Sequence, residues 1–297
     1  MSRLQHLAVA SAALCAGVLV LSPPAKSAAD ISPYDGLGTW VSIYDRAAWR
    51  NPEQTVQAIA DRGVVTLFLE TSNYRQRADV VRPALVGRFL EAAHALGISV
   101  VGWYLPSFAQ PRLDVRRALA GITYLSPTGE RFDSFALDIE STAVGSFALR
   151  NARTLQVVTR LRRALPLDYA LGAITIAPVG ASPGYWPNFP FLGLSRLVDV
   201  FLPMAYFTER TRGPSGVRAY TTANLRFIRA QAGDPTFPVH PIGGLAERAT
   251  ASEVQAFIAA AASCGTLGAS LWEYSLTTRS EWSQLAAAPP RTTSGNC

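Results

Sequence analysis

Residues 52–106 read PEQTVQAIADRGVVTLFLETSNYRQRADVVRPALVGRFLEAAHALGISVVGWYLP. A helical pattern over 52–62 ends at Gly63 and runs into the apolar stretch Val64–Thr71. The same succession then repeats, with a helical pattern over 79–96, Gly97 and the apolar stretch Ser99–Pro106. A glycine at each junction suits a helix C-cap, where the backbone turns left-handed at little steric cost. The short runs are rich in β-branched and aromatic residues, as strands are. Helix and strand therefore alternate, which implies parallel strands with covering helices.

The alternation continues in both directions. Six further candidate strands are Thr39–Asp45, Ser134–Ser141, Leu171–Pro178, Val200–Phe207, Pro238–Leu245 and Ala269–Ser275. Further helical patterns fall near 112–120, 146–164, 217–232 and 251–263, with weaker ones near 190–197 and 279–287. Asn51–Pro52 sets an N-cap before a proline at the first helical position, Thr250–Glu253 has the capping-box spacing, and Gly265 closes a third helix. Eight such units in one chain predict a single-domain (β/α)8 TIM barrel over residues 30–286, with an irregular tail at 287–297. A doubly wound sheet is the competing architecture. It would more often carry a glycine-rich phosphate loop after its first strand, and Tyr44–Arg46 is not one.

Composition agrees with a large core: of 297 residues, 49% are hydrophobic and 16% charged. Of the 27 basic residues only Lys26 is lysine, and no basic run exceeds two residues, so no clustered stripe speaks for nucleic acid. Residues 1–29 have the form of a secretory signal, with Arg3, an apolar run from Leu7 to Leu21, Pro23–Pro24 and the small residues Ser27–Ala29. The run is short for a membrane span. A secreted or cell-envelope protein without a stable membrane span is expected, with the net charge falling from +6 to +4 after cleavage at Asp30. Two cysteines would remain, Cys264 and Cys297, either paired in an oxidising compartment or free.

In such barrels chemistry sits at the C-terminal ends of the strands. Asp45, Glu70, Asp138, Glu140 and Glu273 all fall there, while Glu209 and Glu247, just past strands six and seven, read as solvated. In the fourth strand, FDSFALDIE over 132–140, alternation sets Ala136, Asp138 and Glu140 on one face and Phe135, Leu137 and Ile139 on the other. The apolar face must meet the helices, so the two acids point into the barrel mouth. Close like charges raise the proton affinity of one of them, which creates a general acid beside a charged partner. An acid pair satisfied by arginine is the structural counterpart of that reading.

The stretch Asp133-(x4)-Asp138-x-Glu140 is similar to the D-x-x-D-x-D-x-E strand of chitinase-like family 18 glycoside hydrolases, with Ala136 at the middle Asp. Met204-Ala205-Tyr206 resembles that family's M-x-Y element, and Trp272 stands where the family has a tryptophan under the bound sugar. The string Phe135–Glu140 also resembles, less closely, the D-x-E strand of family 25 lysozyme-like barrels, whose first-strand Asp would be Asp45. The resemblance implies hydrolysis of a glycan or cell-wall polysaccharide carrying N-acetylhexosamine, without metal or cofactor. It implies Glu140 as the acid, Asp138 as the group that holds the substrate's acetamido group, and Tyr206 as a hydrogen-bond donor to it. A non-catalytic glycan-binding barrel is the alternative.

Sugar rings stack on aromatic faces. Tyr104, Trp186 and Trp272 are therefore expected to bind substrate, with Trp186 as a platform in a rim loop, together with the rim acids Asp45, Glu70 and Glu273. Only one of Trp103 and Tyr104, and only one of Trp272 and Glu273, can face inward by alternation. The arginines of 146–164 read as a solvated face, and His94 and His240 as structural.

Overall fold

The computed structural model describes residues 29–180, 182–286 and 297. The signal segment, apart from Ala29, and the tail, apart from Cys297, lie outside the described residues. Eight strands form a closed parallel barrel in sequence order: β1 Gly36–Val41, β2 Thr66–Asn73, β3 Ser99–Leu105, β4 Ser134–Ile139, β5 Leu171–Ile176, β6 Val200–Met204, β7 Ile242–Leu245 and β8 Gly268–Trp272. The helices are α1 Pro52–Ala60, α2 Pro83–Ala95, α3 Pro111–Ile122, α4 Phe147–Ala164, the short α5 Ser182–Tyr185 and α6 Phe191–Ser195, α7 Gly213–Ala232, α8 Ala251–Ser263 and α9 Arg279–Leu285. This is the (β/α)8 barrel that the alternation predicts, and the doubly wound sheet is set aside.

Local chemistry explains the boundaries. The Asn51 side chain accepts from Gln54 N at the start of α1, and Thr250 and Glu253 cap each other's backbone at the start of α8. Gly63, Gly97 and Gly265 turn with φ of 75°, 70° and 60°, conformations that a side chain would resist. Most strand bounds shift by a few residues from expectation, and two of these shifts have consequences. β1 begins three residues earlier and stops at Val41, which leaves Asp45 in the following turn. β7 is only Ile242–Leu245 because Pro238 and Pro241 have no N–H for the ladder, and Val239 makes just an isolated bridge to Phe201.

The core forms two shells. Outward side chains of the strands pack under the helices, among them Leu67, Leu69, Phe135, Leu137 and Phe201. Inward side chains fill the barrel, including Trp40, Phe68, Val101, Ala136 and Leu202. Its N-terminal end is sealed by Tyr34 from the one-turn helix Ser32–Tyr34, whose hydroxyl donates to the Phe135 carbonyl at 3.1 Å and meets Ser134 Oγ at 2.8 Å. Buried His240 adds to the seal, with Nδ1 2.8 Å from the Tyr34 carbonyl oxygen. Burial pulls its pKa down to about 4, so it is neutral at physiological pH. The barrel is thereby closed below and can open only at the C-terminal ends of its strands. Cys264 and Cys297 are joined by a disulfide with Cα atoms 4.6 Å apart.

Asp133, the outer Asp of the strand-four motif, sits at that sealed end and has a structural task. Its carboxylate accepts from Val100 N at 2.7 Å and lies 3.0 Å from His94 Nε2, while His94 Nδ1 lies 2.6 Å from Glu130. The Asp133 contact, followed by that with Glu130, raises the His94 pKa from 6.5 to about 9, although partial burial opposes it. A histidine with a raised folded pKa stabilises fully below its ordinary pKa and loses that contribution as pH climbs through the folded one. Unfolding free energy is therefore expected to fall between pH 6.5 and about 9. The loss should be roughly 1 kcal/mol, since the acidic partners are solvent-screened. Denaturant titration of wild type and His94→Gln checks this; identical pH dependence of the two chains would contradict it.

Candidate active site

β4 carries its residues as alternation requires. Ser134 and Ala136 face the barrel interior, Asp138 lines a cavity at the mouth, and Phe135, Leu137 and Ile139 pack under the helices. Glu140 follows the last strand residue and lines the same cavity, which measures about 240 Å³. Three tryptophans surround it: Trp40 from β1, Trp103 from β3 and Trp272 from β8, with ring centroids 5.9–6.0 Å apart. Trp40 is fixed from below by stacking on Phe68 at 4.2 Å and by donating its indole N–H to Ser270 Oγ at 2.8 Å. Met204 and Tyr206 close the far wall and also line an adjoining depression of about 150 Å³ that shares Glu140. The sequence-predicted trio Asp138, Glu140 and Tyr206 is thus brought together, beside Trp272.

The electrostatics follow from burial. Asp138 is 7% exposed and its Oδ1 has no hydrogen-bond partner. Burial first, then the Glu140 and Glu70 carboxylates, drive its proton affinity well above the ordinary range. Burial also raises Glu140, against which Arg75 pulls down. The Tyr206 phenol is pushed up by burial and then by Asp138, Glu140 and Glu273, so it remains a donor. Trp103 Nε1, like Asp138 Oδ1, is buried without a hydrogen-bond partner. The mouth therefore offers unsatisfied polar atoms over an aromatic floor.

Glu70 is buried within β2, three residues before its end at Asn73, so it does not close the strand as expected. Its Oε2 accepts from Ile43 N at 2.8 Å and its Oε1 from Asn73 Nδ2 at 3.0 Å. Burial raises its pKa to about 7, with smaller contributions from Glu273 and Glu140. Register sets Glu70 beside Trp103 and Trp103 beside Ala136, so Glu70 lies two strands away in the same layer as Ala136. Glu273 follows the last residue of β8, so strict alternation no longer governs it. Trp272 lines the cavity while Glu273 is half-buried, with Oε2 unsatisfied and its proton affinity raised chiefly by burial.

Of the six expected substrate-binding residues only Trp272 lines this cavity; Glu70 and Glu273 lie outside its lining, and the other three take positions elsewhere. Trp186 is 0% exposed, packs against Phe108 and Phe189 and donates its indole N–H to Asn151 Oδ1, so it is a core residue and not a platform. Its chain neighbour Tyr185 is the exposed one, at 45%, and its hydroxyl donates to the Glu140 carbonyl at 2.9 Å. Tyr104 faces α3, where its hydroxyl meets Asp114 Oδ1 at 2.8 Å, because the register aligns Trp103 with the inward Ala136. Asp45 accepts from Ala48 N in the turn after β1 and lines no part of the cavity. Glu209, expected to be solvated, is exposed and ion-paired with Arg248. Trp40 and Trp103 are mouth residues absent from the sequence-based set. The parity of β1 and β3 carries that signal once the inward face is known.

No protein-family model and no curated protein sequence matches the chain. Solved structures do resemble it. The spore cortex-lytic enzyme SleL of Bacillus cereus superposes with a TM-score of 0.64 at 10% identity, over 89% of this chain and 76% of that one. A glycoside hydrolase family 18 N-acetylglucosaminidase from Paenibacillus barengoltzii gives 0.60 at 12% identity, over 86% of this chain and 100% of that one. The endo-β-1,4-mannanase of Thermotoga petrophila gives 0.61 at 12% identity, over 80% and 68%. At such identities the likeness is one of fold, and the fold of this chain is the TIM barrel that these glycoside hydrolases have.

Proposed function

We propose that the protein is a glycoside hydrolase acting on a glycan or cell-wall polysaccharide containing N-acetylhexosamine, and that it is exported. The observation that carries the reading is the inward Asp138/Glu140 pair above the Trp40–Trp103–Trp272 floor, next to Tyr206. An aromatic floor receives the apolar face of a sugar ring. The two carboxyls titrate as a pair, and burial raises the proton affinity of both, that of Asp138 further through the neighbouring Glu140 charge.

In this reading Glu140 gives its proton to the glycosidic oxygen as the bond from that oxygen to the anomeric carbon breaks. The substrate's acetamido oxygen forms the new bond to that carbon, oriented by Asp138 on its N–H and by the Tyr206 hydroxyl on its oxygen. Water then attacks the same carbon, the acetamido group leaves, and Glu140 takes up the water's proton, restoring the acid. The disulfide Cys264–Cys297 supports export, since such bonds persist in oxidising compartments.

Ala136 removes the like charge that the resembling family keeps between the outer and inner acids. Glu70, in the same layer, contributes a charge that acts on Asp138. It ionises with a pKa of about 7, and once charged it favours protonation of its neighbours. Glu70→Gln should therefore move the basic limb of the pH–rate profile toward acid, by about half a unit or more. A profile superimposable on wild type would exclude Glu70 from this role.

Release of reducing ends from chitin oligomers, peptidoglycan and related glycans, with Glu140→Gln as control, tests the function. The same substitution of Ala136 favours one second reading, a barrel that binds glycan without turnover. It predicts saturable binding, weakened by Trp272→Ala, and no reducing ends from wild type.

A further inference from the structure

Away from the mouth, α3 and α4 enclose a surface groove of about 950 Å³, larger than the mouth cavity. Arg112 and Arg116 line it from α3, and Arg153, Gln156 and Arg160 from α4. The spacings of four on α3 and of three and then four on α4 put each set on one helix stripe, so two basic stripes face each other. No acidic side chain lines the groove. Arg116 pairs with exposed Asp79 at 2.9 Å, and Arg153 donates to the Phe108 and Ala109 carbonyls at 3.3 Å, which holds its guanidinium in place. Arg112 and Arg160 are exposed and make no ion pair or side-chain hydrogen bond among the described residues.

We propose that this groove is a second binding site, for a polysaccharide bearing carboxylate or phosphate groups. Guanidinium forks match both groups bidentately, and since only Arg116 of the four arginines pairs with a carboxylate among the described residues, the cluster keeps an excess of positive charge that an anion between them would neutralise. Nucleic acid is the poorer fit, since no aromatic side chain lines the groove to stack a base. A membrane surface is also poorer, because the charges line a furrow between two helices and no aromatic side chain lines it with them. The groove starts at the N-terminus of α3, six residues after β3 ends at Leu105, on the same end of the barrel as the cavity lined by Trp103. A chain held there can extend toward the mouth. Binding at the groove does not require the glycosidase reading to be right.

The full-length protein, as wild type and as Glu140→Gln to prevent turnover, is run in native affinity gels at low salt. The gels contain polygalacturonate, a phosphomannan, or neutral mannan as the uncharged control. Retardation is expected with one or both acidic polymers and not with neutral mannan, and the two acidic arms identify carboxylate or phosphate as the recognised group. Arg112→Gln/Arg160→Gln should weaken the apparent affinity by about tenfold or more and flatten its salt dependence. Its circular-dichroism melt should match wild type; were it misfolded, the single Arg160→Gln variant takes its place. Retardation unchanged in the variant, equal retardation by neutral mannan, or none by either acidic polymer overturns the proposal. So does tighter binding to anionic-lipid vesicles or duplex DNA that the same substitutions abolish. Hydrolysis at the mouth is scored separately, so a missing activity leaves the groove result standing, and the reverse.

Discussion

Glu140→Gln should lower the rate of glycan hydrolysis by about 10³-fold while leaving binding of the same oligomer within about twofold. The amide keeps the shape of the side chain and its place in the cavity that Met204 and Tyr206 also line. What it cannot do is give up a proton. General acid catalysis contributes typically 10²- to 10⁴-fold, and departure of a sugar alkoxide without protonation is the step that suffers. The fold should be untouched, because among the described residues no side chain hydrogen-bonds the Glu140 carboxylate; Tyr185 uses its backbone carbonyl instead. Initial rates on a chromogenic N-acetylhexosaminide, alongside binding by calorimetry, separate the two effects. A variant with wild-type kcat would sink Glu140 as the acid. A wild type that binds and never turns over would favour the non-catalytic barrel.

Asp138→Asn is expected to lose activity by about 10²-fold or more while gaining stability at neutral and alkaline pH. The activity loss follows from geometry: Asp138 is the inward polar group between Ala136 and Glu140, and an amide orients the acetamido group less strongly than a carboxylate. The stability gain follows from burial. A carboxyl whose proton affinity is raised in the folded state binds more protons there than in the unfolded chain, so stability falls as pH rises through that interval. Replacing it with a neutral amide removes this penalty, and the Oδ1 that lacks a partner becomes an atom without charge to desolvate. Thermal melts of wild type and variant should coincide near pH 4 and diverge above it, with the variant higher. A variant that is less stable at pH 8 would mean that Asp138 is held by compensating contacts and is not poised for substrate.

Much of this was legible in residue order. The helix–glycine–strand succession of 52–106 fixed the barrel, and the parity of Phe135–Glu140 fixed which acids enter it. Both are periodicities of short segments, and hydrophobic partitioning forces them on any structure the chain can adopt. Periodicity also narrows β3 to a choice between Trp103 and Tyr104, but only the register between β3 and β4, which aligns Trp103 with Ala136, makes the choice. In the loop after β5, no period exists to follow. Trp186 and not Tyr185 turned inward because Phe108 and Asn151, distant in sequence, form with nearby Phe189 a pocket that fits an indole.

Sequence by itself determined the fold class, the apolar composition of the core and the carboxylate face of β4, because each depends on contacts between a residue and its own segment or the solvent. Only the tertiary structure decided the aromatic floor, the bracing of Asp133 by His94, the placement of Glu70 in the layer of Ala136, and the facing arginine stripes of α3 and α4. Each of these needs two or more segments brought together by barrel closure, and no local pattern encodes the distance between them.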